Sequence, residues 1–173
     1  ILSLDIECLP PENGFIPIPE NDPITMVSLS FNRKYNNSSN LVLIAKPIEC
    51  KRNDILSFES EKDLLKCLKQ IIKEYDPDII TGYNIESFDL NYIDVRSKVN
   101  SVPYDISRDN SNMYIRKFGT NTEVMVAGRI IIDTLQIIRR TYSLDQYTLK
   151  NVSDKLLHMQ KLDVPASKMR EYW

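Results

Sequence analysis

Apolar residues at positions 2, 4 and 6 alternate with Ser3, Asp5 and Glu7 in the opening stretch Ile1-Leu2-Ser3-Leu4-Asp5-Ile6-Glu7. That is the period of a strand with one buried and one polar face. A second alternating stretch covers 24–31 (ITMVSLSF), turn formers fill 32–40 (NRKYNNSSN), and an apolar run covers 41–45. Together they predict a β-hairpin following the first strand. The period then changes. Ser60-Glu61-Lys62-Asp63 approximates a capping box, and Leu64, Leu65, Leu68, Ile71 and Ile72 continue at helical spacing until Asp76-Pro77 stops the run. Residues 78–81 (DIIT) read as a short buried strand ending at Gly82, and Leu90, Ile93 and Val95 mark a helix after it. Residues 113–118 and 123–127 flank Gly119-Thr120-Asn121-Thr122 as another hairpin. The apolar triplet 130–132 forms a strand ending in Asp133, with helix pattern resuming at Leu135, Ile137 and Ile138. An amphipathic helix covers 147–157, and a further one begins at 167.

A strand–helix–strand unit around residues 60–81 implies parallel pairing through a crossover. It sets the end of the 78–81 strand beside the end of the first strand, where open α/β sheets bind ligands. Pro10, Pro11, Pro17, Pro19 and Pro23 keep the intervening segment an extended loop.

Four acids are candidates near the strand ends. Residues two apart on a strand share a face, so Asp5 and Glu7 aim both carboxylates at one place. Such a pair is either a site for a hard cation or a pair splayed into solvent. Asp89 falls at the start of a helix, as a cap or as a third ligand, and Asn84 is a turn residue or a contact. Asp133 is a helix cap, a carboxylate behind the ligands, or a ligand itself.

Composition narrows the chemistry. At 173 residues, 42% hydrophobic and 27% charged, the chain reads as one soluble domain with a proper core, residues 1–173. No run reaches the roughly 20 apolar residues of a membrane helix. The chain opens on strand pattern without a Met or a leader, which predicts a piece of a longer protein. Cys8, Cys50 and Cys67 form neither a disulfide framework nor a zinc pattern and suit a reducing compartment. With His158 the only histidine, a metal here is expected to be oxygen-ligated Mg²⁺, Mn²⁺ or Ca²⁺. Net charge is −2, yet residues 116–173 carry 10 basic and 6 acidic groups, which suits a phosphate-facing side or a solvated face.

Leu4-Asp5-Ile6-Glu7 resembles the first motif (Asp-x-Glu) of the 3′→5′ proofreading exonuclease domain of family B DNA polymerases. Gly82-Tyr83-Asn84-Ile85-Glu86-Ser87-Phe88-Asp89 resembles the second, and the stretches at 128–133, 142–144 and 147–149 resemble segments downstream of the second motif in that family. The resemblance covers nearly the whole chain. It implies an α/β, RNase H-like fold, a mixed five-stranded sheet flanked by helices with an additional β-hairpin. It also implies two Mg²⁺ or Mn²⁺ ions, with Asp5 bridging, Glu7 binding one and orienting the attacking water, and Asp89 holding the second. Asn84, Phe88 and the backbone at Cys8 and Leu9 would contact a single-stranded or frayed 3′ end of DNA. The polymerase domains of the same parent chain are the implied protein partner, with no membrane. The implied setting is the cytoplasmic nucleoid in a prokaryote or the nucleus in a eukaryote.

The family's third motif, Tyr-x-x-x-Asp, supplies a fourth carboxylate. None of the nine tyrosines here has Asp four residues on. The domain is therefore expected to be incomplete at its C-terminus, and weak or inactive as these 173 residues. His158-Met159-Gln160-Lys161-Leu162-Asp163 offers a rival completion, His-x-x-x-x-Asp, as in a free-standing exonuclease. A third alternative is a non-catalytic module that binds DNA or packs against polymerase domains.

Overall fold

The computed structural model describes residues 1–11, 16–119, 121–159, 168, 170–171 and 173. In chain order the elements are β1 (Leu2–Cys8), β2 (Ile24–Tyr35), β3 (Ser38–Ile44), β4 (Ile55–Ser57), α1 (Glu61–Tyr75) and β5 (Ile79–Gly82). They continue with α2 (Asp89–Val99), β6 (Tyr114–Phe118), β7 (Asn121–Met125), β8 (Ile130–Asp133), α3 (Thr134–Thr141) and α4 (Leu149–Leu157). The main sheet runs β4-β3-β2-β1-β5-β8, with β6 and β7 as a separate hairpin. β1 pairs antiparallel with β2 and parallel with β5, and β5 pairs parallel with β8. The mixed sheet and the crossover through α1 are as the pattern predicts.

Two details differ. The sheet has six strands rather than five. The extra one, β4, is three residues long and pairs parallel with β3, too short to carry a readable alternation. The first hairpin also turns more tightly than the polar run suggests. Its strands reach Tyr35 and Ser38, and the two residues between them, Asn36 and Asn37, both adopt positive φ (47° and 66°). Asparagine tolerates that conformation, so the turn needs no glycine.

β1 is central because its two faces differ. Leu2, Leu4, Ile6 and Cys8 are buried in one core with Leu64, Leu65, Leu68 and Ile72 of α1 and Leu90 and Ile93 of α2. Each such aliphatic side chain contributes on the order of 1.5–3 kcal/mol by leaving water. Ser60 caps α1, accepting from the Asp63 amide at 3.2 Å. A buried ion pair locks the proline-rich loop to both helices. Glu61 takes Arg96 at 2.5 and 2.8 Å and the Ile24 amide at 2.8 Å, while Arg96 donates to Pro19 O at 3.0 Å. Breaking one partner of such a pair leaves an uncompensated buried charge.

Among the described residues no helix is long and apolar enough to cross a membrane.

Candidate active site

The polar face of β1 carries Ser3, Asp5 and Glu7 on the side of the sheet away from the core. By register Asp5 lies opposite Ser28, and Ser3 lies between Ser30 on β2 and Thr81 on β5. A shallow groove of about 290 Å³ lined by Ser3, Asp5, Ser28, Ser30 and Asn40 opens there. Asp5 is exposed and Glu7 half-buried. The register shifts between Glu7 and Cys8, an irregularity of the kind that re-aims strand ends beside functional sites. The strand end is pinned where Thr25 Oγ1 donates to Glu7 O at 2.9 Å and the Leu9 amide donates to Pro23 O at 3.1 Å.

Asp89 enters from α2. It occupies the first turn, with Phe88 as the N-cap residue, so it is not the cap that its position alone suggested. Instead its Oδ1 accepts the Ile6 amide at 2.9 Å, between Asp5 and Glu7 in sequence. This bond is possible because β5, paired to β1 at Leu2 and Ser3, stops short of that point. Asp89 is 2% exposed. Burial pushes its carboxyl up to about 7; the Ile6 amide works against this, and the charges of Asp5 and Asp133 add to it.

Asp133 ends β8 and is the N-cap of α3, its Oδ1 accepting the Leu135 amide at 2.9 Å. The same oxygen accepts the Asn84 amide at 3.0 Å, while Oδ2 is buried with no partner among the described residues. Asn84 itself is left-handed, at φ +61°.

The 3′-end candidates divide. Asn84 and Phe88 are half-buried on the β5–α2 loop, and the Phe88 ring packs at a tilt of 47° against Tyr92, centroids 5.5 Å apart. Cys8 points into the core, beside Tyr92, and burial pushes its thiol up to about 12. His158 is an exposed, left-handed C-cap on α4 with no ion pair among the described residues. Asp163 lies outside the described residues.

Several groups that hold this corner together were not singled out from the sequence. Tyr83 Oη donates to Tyr147 O at 2.6 Å, Thr134 Oγ1 to Gly82 O at 2.8 Å, and the Val124 amide to Glu86 Oε1 at 3.0 Å. Gly82 admits no side chain, since a Cβ there would lie 2.6 Å from Leu4 O. Only that glycine, lying between a strand and a polar turn, is a signal the sequence alone could have raised.

Asp5, Glu7 and Asp89 supply the hard oxygen donors that a Mg²⁺ or Mn²⁺ ion takes. The raised Asp89 carboxyl reflects its burial first, with the charges of Asp5 and Asp133 adding to it. Among the described residues no group of three or more His, Cys, Asp or Glu side chains is gathered closely enough to hold a metal ion. The donor chemistry of these three carboxylates is that of a hard divalent cation.

The sequence profile described as "DNA polymerase family B, exonuclease domain" matches residues 1–152. The chain is 34% identical to the DNA polymerase delta catalytic subunit of Glycine max, over 96% of this chain and 17% of that protein. It is 32% identical to a DNA polymerase of Methanocaldococcus jannaschii, over 91% of this chain and 9% of that protein. The family B DNA polymerase of Pyrobaculum calidifontis superposes on 99% of this chain and 20% of its own, with a TM-score of 0.75 and 24% identity. The chain thus spans less than a fifth of the length of these two sequence relatives.

Proposed function

The chain belongs to the exonuclease domain of family B DNA polymerases, and from that premise we propose that it removes nucleotides from the 3′ end of single-stranded DNA by divalent-cation-dependent hydrolysis. One observation carries the reading. Asp89, in the first turn of α2, accepts the amide of Ile6, the residue between Asp5 and Glu7 on β1.

In this reading Asp5, Glu7 and Asp89 hold two Mg²⁺ or Mn²⁺ ions. Bound there, the ions supply neutralisation of the charge that develops on the phosphodiester and its leaving 3′ oxygen. The protein's own groups do the rest. Glu7, half-buried at the strand end, accepts a hydrogen bond from the attacking water and orients it. Asn84 and the Cys8–Leu9 backbone hold the terminal nucleotide, and Phe88 offers a face for stacking that tolerates any base. Asp133 stands behind Asn84 rather than among the ligands. The DNA reaches the site as a single or frayed strand, delivered by polymerase domains of a longer chain at the place of replication, nucleoid or nucleus.

Because Tyr-x-x-x-Asp is not among these residues, we assign full hydrolytic activity to a polymerase chain carrying this domain and weak activity to the 173 residues alone. The test measures release of the 3′-terminal nucleotide from single-stranded DNA in Mn²⁺ and in EDTA. Loss of release in EDTA and in Asp5→Ala supports the reading. Release that survives Asp5→Ala but vanishes in His158→Ala transfers the chemistry to the alternative built on His158 and Asp163. DNA binding without release by either the chain or its parent polymerase favours the non-catalytic module.

A further inference from the structure

The turn between β5 and α2 carries Asn84 and leads to Phe88 and Asp89, yet it is short, irregular and held in a conformation that side chains rarely adopt. Gly82 is pressed against Leu4 O, and Asn84 sits at φ +61°. Asparagine tolerates the left-handed region, but contacts must still select it over the alternatives and fix the turn. Three bonds do so from outside the loop. Thr134 Oγ1 holds Gly82 O, Tyr83 Oη holds Tyr147 O, and Asp133 Oδ1 holds the Asn84 amide.

Of these, Asp133 is the informative one. Its Oδ1 has two tasks, capping α3 through Leu135 and fixing the turn through Asn84, while 95% of the residue's surface is buried and Oδ2 finds no partner among the described residues. A helix cap alone is available from a serine or threonine without an orphaned carboxylate oxygen. What an aspartate adds is reach: one side-chain oxygen far enough from the backbone to take an amide 49 residues away in sequence as well as its own helix.

Building on the 3′-end reading, we propose that Asp133 is a positioning residue for recognition of the DNA 3′ end. Through the Asn84 amide it sets the conformation of the turn from which Asn84 meets the terminal nucleotide. It touches neither DNA nor cation.

The proposal separates the turn from the cap. Asp133→Asn keeps an oxygen that accepts both amides. Asp133→Ser keeps a cap for α3 but is one bond too short to hold Asn84 as well. Asp133→Ala loses both, and the serine variant stands in for it should the alanine variant not fold. The measurement is fluorescence anisotropy of a 5′-labelled oligothymidylate in Ca²⁺, ending in a free 3′ hydroxyl or in a 3′ phosphate, with melting temperatures taken alongside. The wild-type chain and Asp133→Asn are expected to prefer the free 3′ end. Asp133→Ser and Asp133→Ala are expected to bind it about tenfold more weakly, the worth of one buried hydrogen bond, and to lose the preference. The serine variant does so with little change in melting temperature. Wild-type affinity in Asp133→Ser and Asp133→Ala, or loss in Asp133→Asn equal to that in Asp133→Ser, overturns the proposal while leaving the exonuclease reading in place. A wild-type chain blind to the 3′ end sinks both.

Discussion

The two ends of β1 are built on opposite principles. At the N-terminal end polar groups beside the strand are paired with one another. Tyr75 Oη lies 2.8 Å from Asn32 Oδ1 and accepts the Arg33 amide at 3.1 Å. Phe31, Tyr35 and Tyr75 pack ring to ring at 4.9–6.2 Å around these bonds. At the C-terminal end acids are brought together instead. Asp89 is buried beside the charges of Asp5 and Asp133, and one Asp133 oxygen has no partner among the described residues. A fold optimised only for stability would not assemble that corner. Seven residues of one strand thus run from a cluster of mutually paired polar groups to a corner where burial raises a carboxyl.

The contrast is sharpest in mutants. Tyr75→Ala should cost roughly 3–5 kcal/mol in urea unfolding, the range for deleting a large buried aromatic, whereas Tyr75→Phe should cost only about 1 kcal/mol. Equal losses would mean that the hydroxyl network, not the packing, holds that end.

At the other end the sign reverses with pH. Burial pushes the folded Asp89 carboxyl up to about 7, above the ordinary carboxylate value. Its contribution is therefore fully present below about pH 4 and is lost as pH rises through 7. Without divalent cations, the stability of Asp89→Asn relative to wild type should improve by roughly 2–4 kcal/mol between pH 4 and pH 8. A flat difference across that range would show that Asp89 is not strained.

Smaller effects map the border between the two regimes. Tyr83→Phe removes the bond to Tyr147 O and should cost about 1 kcal/mol, with faster amide exchange confined to residues 142–148. Cys8, buried with its thiol pushed up to about 12, should resist a thiol reagent at pH 8 while exposed Cys50 reacts at once. Rapid labelling of Cys8 would mean that the strand end opens.

Much of this was legible in residue order because the signals are local. Asp5 and Glu7 are two apart on an alternating strand, and the crossover rule alone brings the end of β5 beside them. The resemblance to the polymerase exonuclease motifs then added Asp89 to the pair. What stayed hidden depends on long-range partners. Asp133 could be read as a cap, yet its second role requires an amide 49 residues away. Asp89 looks like a cap by position, but the amide it accepts belongs to β1, 83 residues earlier. β4 was invisible because three residues have no period, and the first turn looked long because polar residues at 32–35 and 38–40 continue the strands.

The claim on which the rest depends is that the acids at the end of β1 form a cation site in which burial holds Asp89 raised. The direct measurement is the melting temperature of the chain with and without Mn²⁺ at pH 5.5 and pH 8, in wild type and in Asp5→Asn. Mn²⁺ should raise it clearly at pH 8, where Asp89 is ionised, less at pH 5.5, and scarcely in Asp5→Asn. No rise at pH 8, or an equal rise in Asp5→Asn, would contradict it.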